Sequence, residues 1–181
     1  PTVLPVAQIC PALLVSLREH PLTILTAPPG AGKSTYLPLY LLQQADYADK
    51  KIIMLEPRRL AAKSIAAYLA AQLAEPVGRT VGYQIRLEQQ SSAATRLLVV
   101  TEGVLIRKMM QDPELSAYDL LIFDEFHERS VQTDLALALA LEVQQLNERL
   151  KILLMSATLD TDKLSTALQA PVLASQGRSF P

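Results

Sequence analysis

The stretch LTILTAPPGAGKSTYL, residues 22–37, places two glycines, a lysine and two hydroxyl residues directly after a short apolar run. Gly30 and Gly32 allow backbone N–H groups to approach a ligand closely, and the start of a following helix presents further N–H groups. Lys33 supplies a positive charge, and the Ser34 hydroxyl is an oxygen donor for Mg²⁺. This order of strand, glycine-rich loop, lysine, hydroxyl and helix predicts a loop that binds nucleotide phosphates.

The loop matches the pattern G-x-x-x-x-G-K-[ST] at every position except the first, where Ala27 replaces glycine. We expect Lys33 to reach the β and γ phosphates and Ser34 to ligate the metal that bridges them. The alternative is a glycine turn that leads into a helix and leaves the lysine exposed, and the strand-loop-helix context argues against it. The loop residues predicted to contact the nucleotide are Pro29, Gly30, Ala31, Gly32, Lys33, Ser34 and Thr35.

A second chemically active group lies in LLIFDEFHERS. Asp124 and Glu125 follow an apolar run at the predicted carboxyl end of a buried strand, the edge at which open α/β sheets bind ligands. Asp124 would hold Mg²⁺ directly or through water, and Glu125 would orient or deprotonate the attacking water. The alternative is a pair of acidic residues that leaves a strand into solvent, and the phosphate loop elsewhere in the chain favours the catalytic interpretation.

Continuous apolar runs with β-branched residues alternate with Ala- and Leu-rich segments of helical spacing. Runs that are apolar throughout are typical of strands buried on both faces. The predicted strands are 22–26, 51–56, 96–101, 120–125 and 151–156, and the main predicted helices are 59–73, 102–111 and 133–150. The repetition of strand and helix predicts an α/β fold with a parallel sheet covered by helices on both faces.

Four segments are less regular. Residues 80–88, TVGYQIRLE, are the weakest candidate strand, and the polar QQSSAATR after them is expected to be a surface loop. PVLA, residues 171–174, is a candidate for one more strand. Residues 5–20 have helical character, but Pro11 in their middle should kink or split the helix. Helical spacing in the last main helix assigns four residues to the core: Leu135, Leu139, Val143 and Leu146.

The composition predicts one domain. Half of the 181 residues are apolar, which suffices for one sizeable core and not for two. The net charge of -1 provides no global basic field, so charge neither supports nor excludes a nucleic-acid partner. The single cysteine, Cys10, excludes an internal disulfide, and no apolar run reaches the roughly 20 residues that cross a bilayer. We therefore expect a cytoplasmic protein without membrane contact.

With DEFH at residues 124–127, the chain resembles the DExH/DEAH helicases of superfamily 2. The motifs follow the family's order along nearly the whole chain: APPGAGKS resembles motif I, PRRLAA motif Ia, TEGVL motif Ib, DEFH motif II and SAT motif III. VGYQIR and DEFHERS are similar to the DEAH branch. Phe126, LPV near the start and SQGRSFP at the end are most like the bacterial HrpB-type helicases. The resemblance implies a RecA-like P-loop NTPase domain of an ATP-dependent helicase that uses ATP and Mg²⁺.

The resemblance also implies roles that spacing alone does not show. His127 would couple the nucleotide to motif III and to a partner domain, and it joins Lys33, Asp124 and Glu125 in the predicted catalytic set. The residues that would link hydrolysis to strand separation are Ser156, Ala157 and Thr158. The resemblance favours RNA over DNA as the nucleic acid, single-stranded or duplex. The residues that would hold its backbone are Arg58, Arg59, Thr101, Glu102 and Gly103. Taken alone, PRRLAA could be a solvated helix start without a role in binding. SAT taken alone could be an ordinary strand end.

By the same resemblance, residues 1–21 are a helical lead-in, 22–175 the first RecA-like domain, and 176–181 the start of a linker. In the family, a second RecA-like domain carries motifs IV to VI and the arginine fingers, and we expect it as a partner in the same full-length chain. The piece alone should be a monomer that binds nucleotide and hydrolyses it slowly. A rival interpretation is a nucleotide-dependent binding switch without unwinding activity. A small-molecule kinase is disfavoured, because the sequence has no visible acceptor site or lid.

One residue departs from the family, because Tyr68 aligns with an arginine that stacks on adenine. We expect Tyr68→Ala to weaken ATP, GTP and CTP by similar factors, since stacking discriminates between bases less than hydrogen bonds to their edges do. Competition among the three nucleotides measures the effect. Unchanged affinity for all three would place Tyr68 in ordinary packing.

Overall fold

Within residues 4–157 and 161–175, which the computed structural model describes, one eight-stranded sheet carries helices on both faces. The strands are β1 Leu22–Thr26, β2 Ile52–Leu55, β3 Val81–Ile85, β4 Glu88–Gln90, β5 Leu97–Val100, β6 Leu120–Phe123, β7 Lys151–Ser156 and β8 Val172–Ala174. The helices are α1 Cys10–Glu19, α2 Leu37–Leu42, α3 Arg59–Gln72, α4 Glu102–Gln111, α5 Val131–Leu146 and α6 Asp162–Leu168. The main strands and helices predicted from the sequence are therefore present.

The strand order is β4-β3-β5-β2-β6-β7-β1-β8. All neighbouring strands run parallel except β3 and β4, which form an antiparallel hairpin at one edge. Every residue of β1, β2, β5 and β6 is buried. Burial on both faces is the reason that these strands are apolar throughout, and it confirms the predicted parallel α/β sheet.

Alternate side chains of the central strands supply two separate cores. Ile52 and Met54 of β2 pack with residues of α1, α2 and α3 on one face of the sheet. Ile53 and Leu55 pack with residues of α4 and α5 on the other face. This alternation follows from the two-residue period of a strand. The described residues contain no helix that is long and apolar enough to span a membrane.

Pro11 splits the first helical segment, as predicted. A 3₁₀ turn at Pro5–Gln8 precedes α1, and Pro11 lies in the first turn of α1, where its missing N–H costs no helical hydrogen bond. The 3₁₀ turn also reaches the glycine-rich loop. Val6 is fully buried, and its N–H donates to the Ala31 carbonyl at 3.1 Å. The start of the chain therefore packs beneath the loop that the sequence assigns to phosphate binding.

The structure corrects the prediction for residues 80–96. Arg86 and Leu87 form a two-residue turn, and Glu88–Gln90 pairs back on β3 as β4. Gln89 and Gln90 therefore belong to the sheet and not to a surface loop. An edge strand with an exposed polar face lacks the apolar signal by which the other strands were predicted.

Two helices also differ from the prediction. The sequence pattern does not predict α6, whose residues are all at least partly exposed. Helix α5 begins before its predicted start at Thr133, because the Ser130 hydroxyl accepts the Thr133 N–H at 3.1 Å and caps the helix. It ends at Leu146, before the predicted end at Leu150. The apolar spacing of a helix does not determine where it ends, because a cap depends on a few local side chains.

The predicted core stripe of α5 is wrong for two of its four residues. Val143 is buried and Leu139 half-buried, but Leu135 and Leu146 are 47% and 61% exposed. The buried face consists instead of Thr133, Ala136, Leu137, Ala140 and Val143. Its small alanine side chains let the helix backbone lie close to its neighbours, so the leucine pattern alone indicated the wrong face.

Two leucines of α5 that are two positions apart test this assignment with the same substitution. Leu137→Ala should lower the free energy of unfolding by about 2–5 kcal/mol, because it leaves a cavity in the core. Leu135→Ala, at an exposed position, should change it by less than about 0.5 kcal/mol. Urea unfolding of both variants gives the comparison. Equal losses for the two variants would contradict the buried face described above.

Candidate nucleotide-binding site

The predicted site residues meet at the carboxyl edge of the sheet. Thr26 of β1 pairs with Ser156 of β7, and Phe123 of β6 pairs with Leu154 of β7. The loop after β1 and the acidic pair after β6 are thus two strand positions apart, which is about 10 Å. Parallel pairing brings together segments that are far apart in the sequence.

The glycine-rich loop has a backbone conformation that other residues adopt with strain. Gly30 and Gly32 have φ values of 79° and 96°, in the left-handed region. A Cβ at Gly32 would also lie 3.0 Å from Leu4 and 3.1 Å from Val6, whereas Gly30 faces open space. The Gly32 carbonyl accepts the Tyr36 N–H at 2.9 Å, but α2 begins only at Leu37. Lys33, Ser34 and Thr35 therefore lie in turns that precede the helix and not, as predicted, at its start.

The loop and the acidic pair line one cavity of about 230 Å³. Its lining residues are Pro29, Gly30, Gly32, Lys33, Ser34, Thr35, Asp124, Glu125 and Ala157. Two residues predicted to contact the nucleotide do not line this cavity. Ala31 belongs to the loop but its side chain is buried, and Tyr68 is half-exposed on α3, which packs against β3 and β5. Contact between Tyr68 and a base stays a prediction.

The side chain of Lys33 folds back onto its own loop. Its Nζ donates to the Ala27 carbonyl at 2.5 Å. Burial lowers the pKa of the Lys33 ammonium, and the charges of Asp124 and Glu125 act in the opposite direction. The lysine is therefore partly desolvated, and it faces two carboxylates across the cavity.

Asp124 and Glu125 share the cavity because the chain turns sharply after β6. Asp124 is 4% exposed, and its Oδ1 accepts the Glu125 N–H at 2.9 Å. Glu125 has a φ of 52°, in the left-handed region that residues other than glycine rarely adopt. Successive side chains of an extended strand point to opposite faces, and this turn brings both carboxylates to one side. Such strain is often found at functional sites.

Arg58, predicted to bind nucleic acid, contacts Glu125. Its Nη2 donates to the two carboxylate oxygens of Glu125 at 3.1 and 3.0 Å, and its Nε lies 4.0 Å from Glu128. The charges of Glu125 and Glu128 raise the pKa of the Arg58 guanidinium. Arg59 is exposed and forms no ion pair within the part of the chain that the structure describes. The sequence does not predict the contact between Arg58 and Glu125.

The DEFH and SAT motifs are in direct contact. His127 Nδ1 accepts the Ala157 N–H at 3.1 Å, and Ser156 is buried at the end of β7. Thr158, the third residue of SAT, lies outside the described residues. Phe126 is 2% exposed and packs edge-on against Phe123 with ring centroids 6.1 Å apart. The phenylalanine of DEFH is thus a core residue.

The TEGVL motif forms the start of α4. Thr101 is half-buried and Gly103 is exposed. The Glu102 carboxylate accepts the Thr133 hydroxyl at 2.7 Å and lies 3.4 Å from the Ser130 hydroxyl. The side chain of Glu102 therefore joins the start of α4 to the start of α5.

Glu56 is a site residue that the sequence analysis did not identify. It follows Leu55, which pairs with Phe123, so Glu56 lies beside Asp124. Glu56 is 1% exposed, and its carboxylate oxygens have no hydrogen-bond partner among the described residues. Burial first, and then the neighbouring carboxylates of Asp124 and Glu125, raise the pKa of Glu56 to about 10. A protonated Glu56 adds no further negative charge. The sequence contains one signal for Glu56, because it is the acidic residue that ends the apolar run KIIMLE.

Comparison with known proteins agrees with this arrangement. A family model described as DEAD/DEAH box helicase matches residues 7–167. The ATP-dependent RNA helicase HrpB of Escherichia coli is 57% identical over 180 residues, which are 98% of this chain and 22% of HrpB. The ATP-dependent RNA helicase DHX29 of Mus musculus is 39% identical over an alignment of 189 residues, gaps included, that covers 98% of this chain and 14% of DHX29.

A solved structure agrees in the fold as well. The crystal structure of the Escherichia coli DEAH/RHA helicase HrpB superposes with a TM-score of 0.94 at 57% identity, over 98% of this chain and 23% of that one. The chain therefore spans less than a quarter of the length of these relatives. The RecA-like sheet is common to both structures. Because the family model covers most of its length, the chain belongs to the DEAD/DEAH box helicase family.

Proposed function

We propose that this chain is the ATP-binding motor domain of an ATP-dependent RNA helicase, which couples hydrolysis of Mg·ATP to translocation or unwinding. The observation that carries the proposal is the single cavity shared by the glycine-rich loop and the acidic pair. The similar proteins named as ATP-dependent RNA helicases support RNA as the nucleic acid. A cytoplasmic location belongs to the same proposal.

The triphosphate would occupy the cavity. Its volume of about 230 Å³ lies below the roughly 300–1,000 Å³ of sites that enclose a whole small molecule, so it suits phosphates and a metal better than a whole nucleotide. Lys33 would exchange the Ala27 carbonyl for phosphate oxygens, which are stronger acceptors because they are charged. Backbone N–H groups of the loop would bind the same phosphates.

Mg²⁺ would be held by Ser34 and Asp124. Both residues line the cavity, and hydroxyl and carboxylate oxygens are the hard donors that this ion prefers. Mg²⁺ would neutralise charge on the phosphates. Glu125 lines the same cavity and would orient the attacking water or accept its proton.

Nucleic acid would bind along the same edge of the sheet. Arg58, Arg59 and Thr101 follow the carboxyl ends of β2 and β5, and their side chains can hold phosphates without reading a base sequence. Exposed Gly103 would leave the helix start accessible, whereas the Glu102 side chain would act through its contact with α5.

Coupling to a second domain completes the proposal. His127 and Ala157 would transmit the state of the nucleotide to a second RecA-like domain of the full-length protein, together with Ser156 and Thr158. That domain would supply the arginine finger, a contribution of about 10³- to 10⁵-fold in rate. A nucleotide-dependent switch without unwinding remains the competing function.

The first test concerns the phosphate loop. Lys33→Ala should weaken binding of Mg·ATP by roughly 10- to 100-fold, because a charge-assisted hydrogen bond to phosphate is lost. Titration calorimetry measures the affinity. Lys50→Ala removes an exposed lysine that precedes β2 at the amino edge of the sheet, and it should bind as the unmodified protein does. Unchanged affinity in Lys33→Ala would exclude the phosphate loop as the nucleotide site.

The second test concerns catalysis in the full-length protein. Glu125→Gln should retain nucleotide and lose about 10²- to 10⁴-fold in turnover, because an amide cannot act as a base. ATP hydrolysis and duplex unwinding, each with and without RNA, are the measurements. Equal turnover in Glu125→Gln and the unmodified protein would remove Glu125 from catalysis. RNA-stimulated hydrolysis without unwinding would favour the switch.

A further inference from the structure

Arg58 and Glu125 belong to two different predicted activities, yet they are bound to each other. Arg58 is predicted to hold a nucleic-acid phosphate, and Glu125 is predicted to activate water. Arg58 Nη2 donates to both carboxylate oxygens of Glu125, at 3.1 and 3.0 Å. The contact joins residues 67 positions apart, because β2 and β6 are neighbours in the sheet.

The ion pair can exchange partners. The Arg58 side chain is 61% exposed and that of Glu125 is 26% exposed, so the guanidinium is open to solvent while the carboxylate lines the cavity. Exposed ion pairs contribute little net free energy, which lets another anion compete for the arginine. A phosphodiester is a suitable competitor, since guanidinium groups bind phosphate in paired hydrogen bonds.

The ion pair also affects the chemistry of Glu125. A carboxylate that orients water, or accepts its proton, needs a lone pair directed at that water. In this structure one guanidinium nitrogen contacts both oxygens of Glu125. The contact therefore competes with water for the carboxylate oxygens.

We infer that Arg58 is a positioning residue that restrains Glu125 until a nucleic-acid phosphate takes its place as the partner of the guanidinium. Nucleic acid would then stimulate hydrolysis by releasing the carboxylate towards the attacking water. The inference rests on the proposed function and extends it, because it names the contact that links nucleic-acid binding to ATP turnover. Arg59, the next residue, has no such contact in the described part of the chain.

The experiment measures steady-state ATP hydrolysis by the full-length protein at saturating Mg·ATP, with and without single-stranded RNA. Arg58→Ala should raise kcat without RNA by about 2- to 5-fold, the range that loss of an exposed ion pair allows. The stimulation by RNA, expressed as a ratio, should fall by at least the same factor. Arg149→Ala is the matched control, because it removes an exposed arginine just before β7 at the amino edge. It should change neither value.

A salt series on the unmodified protein needs no variant. Salt screens exposed charge pairs, so kcat without RNA should rise with salt concentration. Arg58→Ala should lose that rise, which a purely structural role of Arg58 would not remove. The unfolding midpoint of the variant, compared with that of Arg149→Ala, verifies that it is folded.

The result that would overturn the inference is a basal kcat that falls or stays unchanged in folded Arg58→Ala. A flat salt series in the unmodified protein would overturn it too. These failures differ from failure of the proposed function. If the unmodified protein hydrolyses no ATP with or without RNA, the proposed function itself is wrong. If RNA stimulates it normally and Arg58→Ala behaves like Arg149→Ala, only the link through Arg58 is wrong.

Discussion

The parallel, in-register pairing of β2, β6, β7 and β1 is the constraint on which the site depends. These strands are almost entirely buried, so polar residues collect where the strands end and not along them. Because the strands run parallel, their carboxyl ends lie at one edge. Glu56, Asp124 and Ala27 therefore follow β2, β6 and β1, and Ser156 ends β7, although these residues are distributed over 130 residues of sequence.

Burial at this edge determines the electrostatics of the cavity. Lys33 is partly desolvated and faces Asp124 and Glu125, whereas Glu56 is buried deeply enough that its pKa rises to about 10. A neutral Glu56 adds no negative charge beside Asp124. Arg58 forms an ion pair with Glu125 from the solvent side. Two cations, Lys33 and Arg58, thus lie close to the carboxylates of Asp124 and Glu125.

Side-chain contacts connect the loops that follow different strands. Arg58 joins the segment after β2 to the segment after β6, and the backbone of Ala157 joins the end of β7 to His127. Glu102 joins the start of α4 to Thr133 at the start of α5. The segments at this edge are therefore connected by direct side-chain hydrogen bonds and not only through the strands of the sheet.

Features that depend on residue type and local spacing follow from the amino-acid sequence. Apolar runs identified the main strands, Gly30, Gly32 and Lys33 identified the loop, and the acidic pair after LLIF identified its counterpart. Which of these groups meet depends on the tertiary fold. The partner of Arg58 and the burial of Glu56 depend on strand order, and the exposure of Leu135 depends on which face of α5 packs. The pairing of polar β4 depends on the adjacent β3. Local sequence patterns indicate which chemistry a residue can perform. Its pKa, its partner and its exposure depend on neighbours that are distant in the sequence.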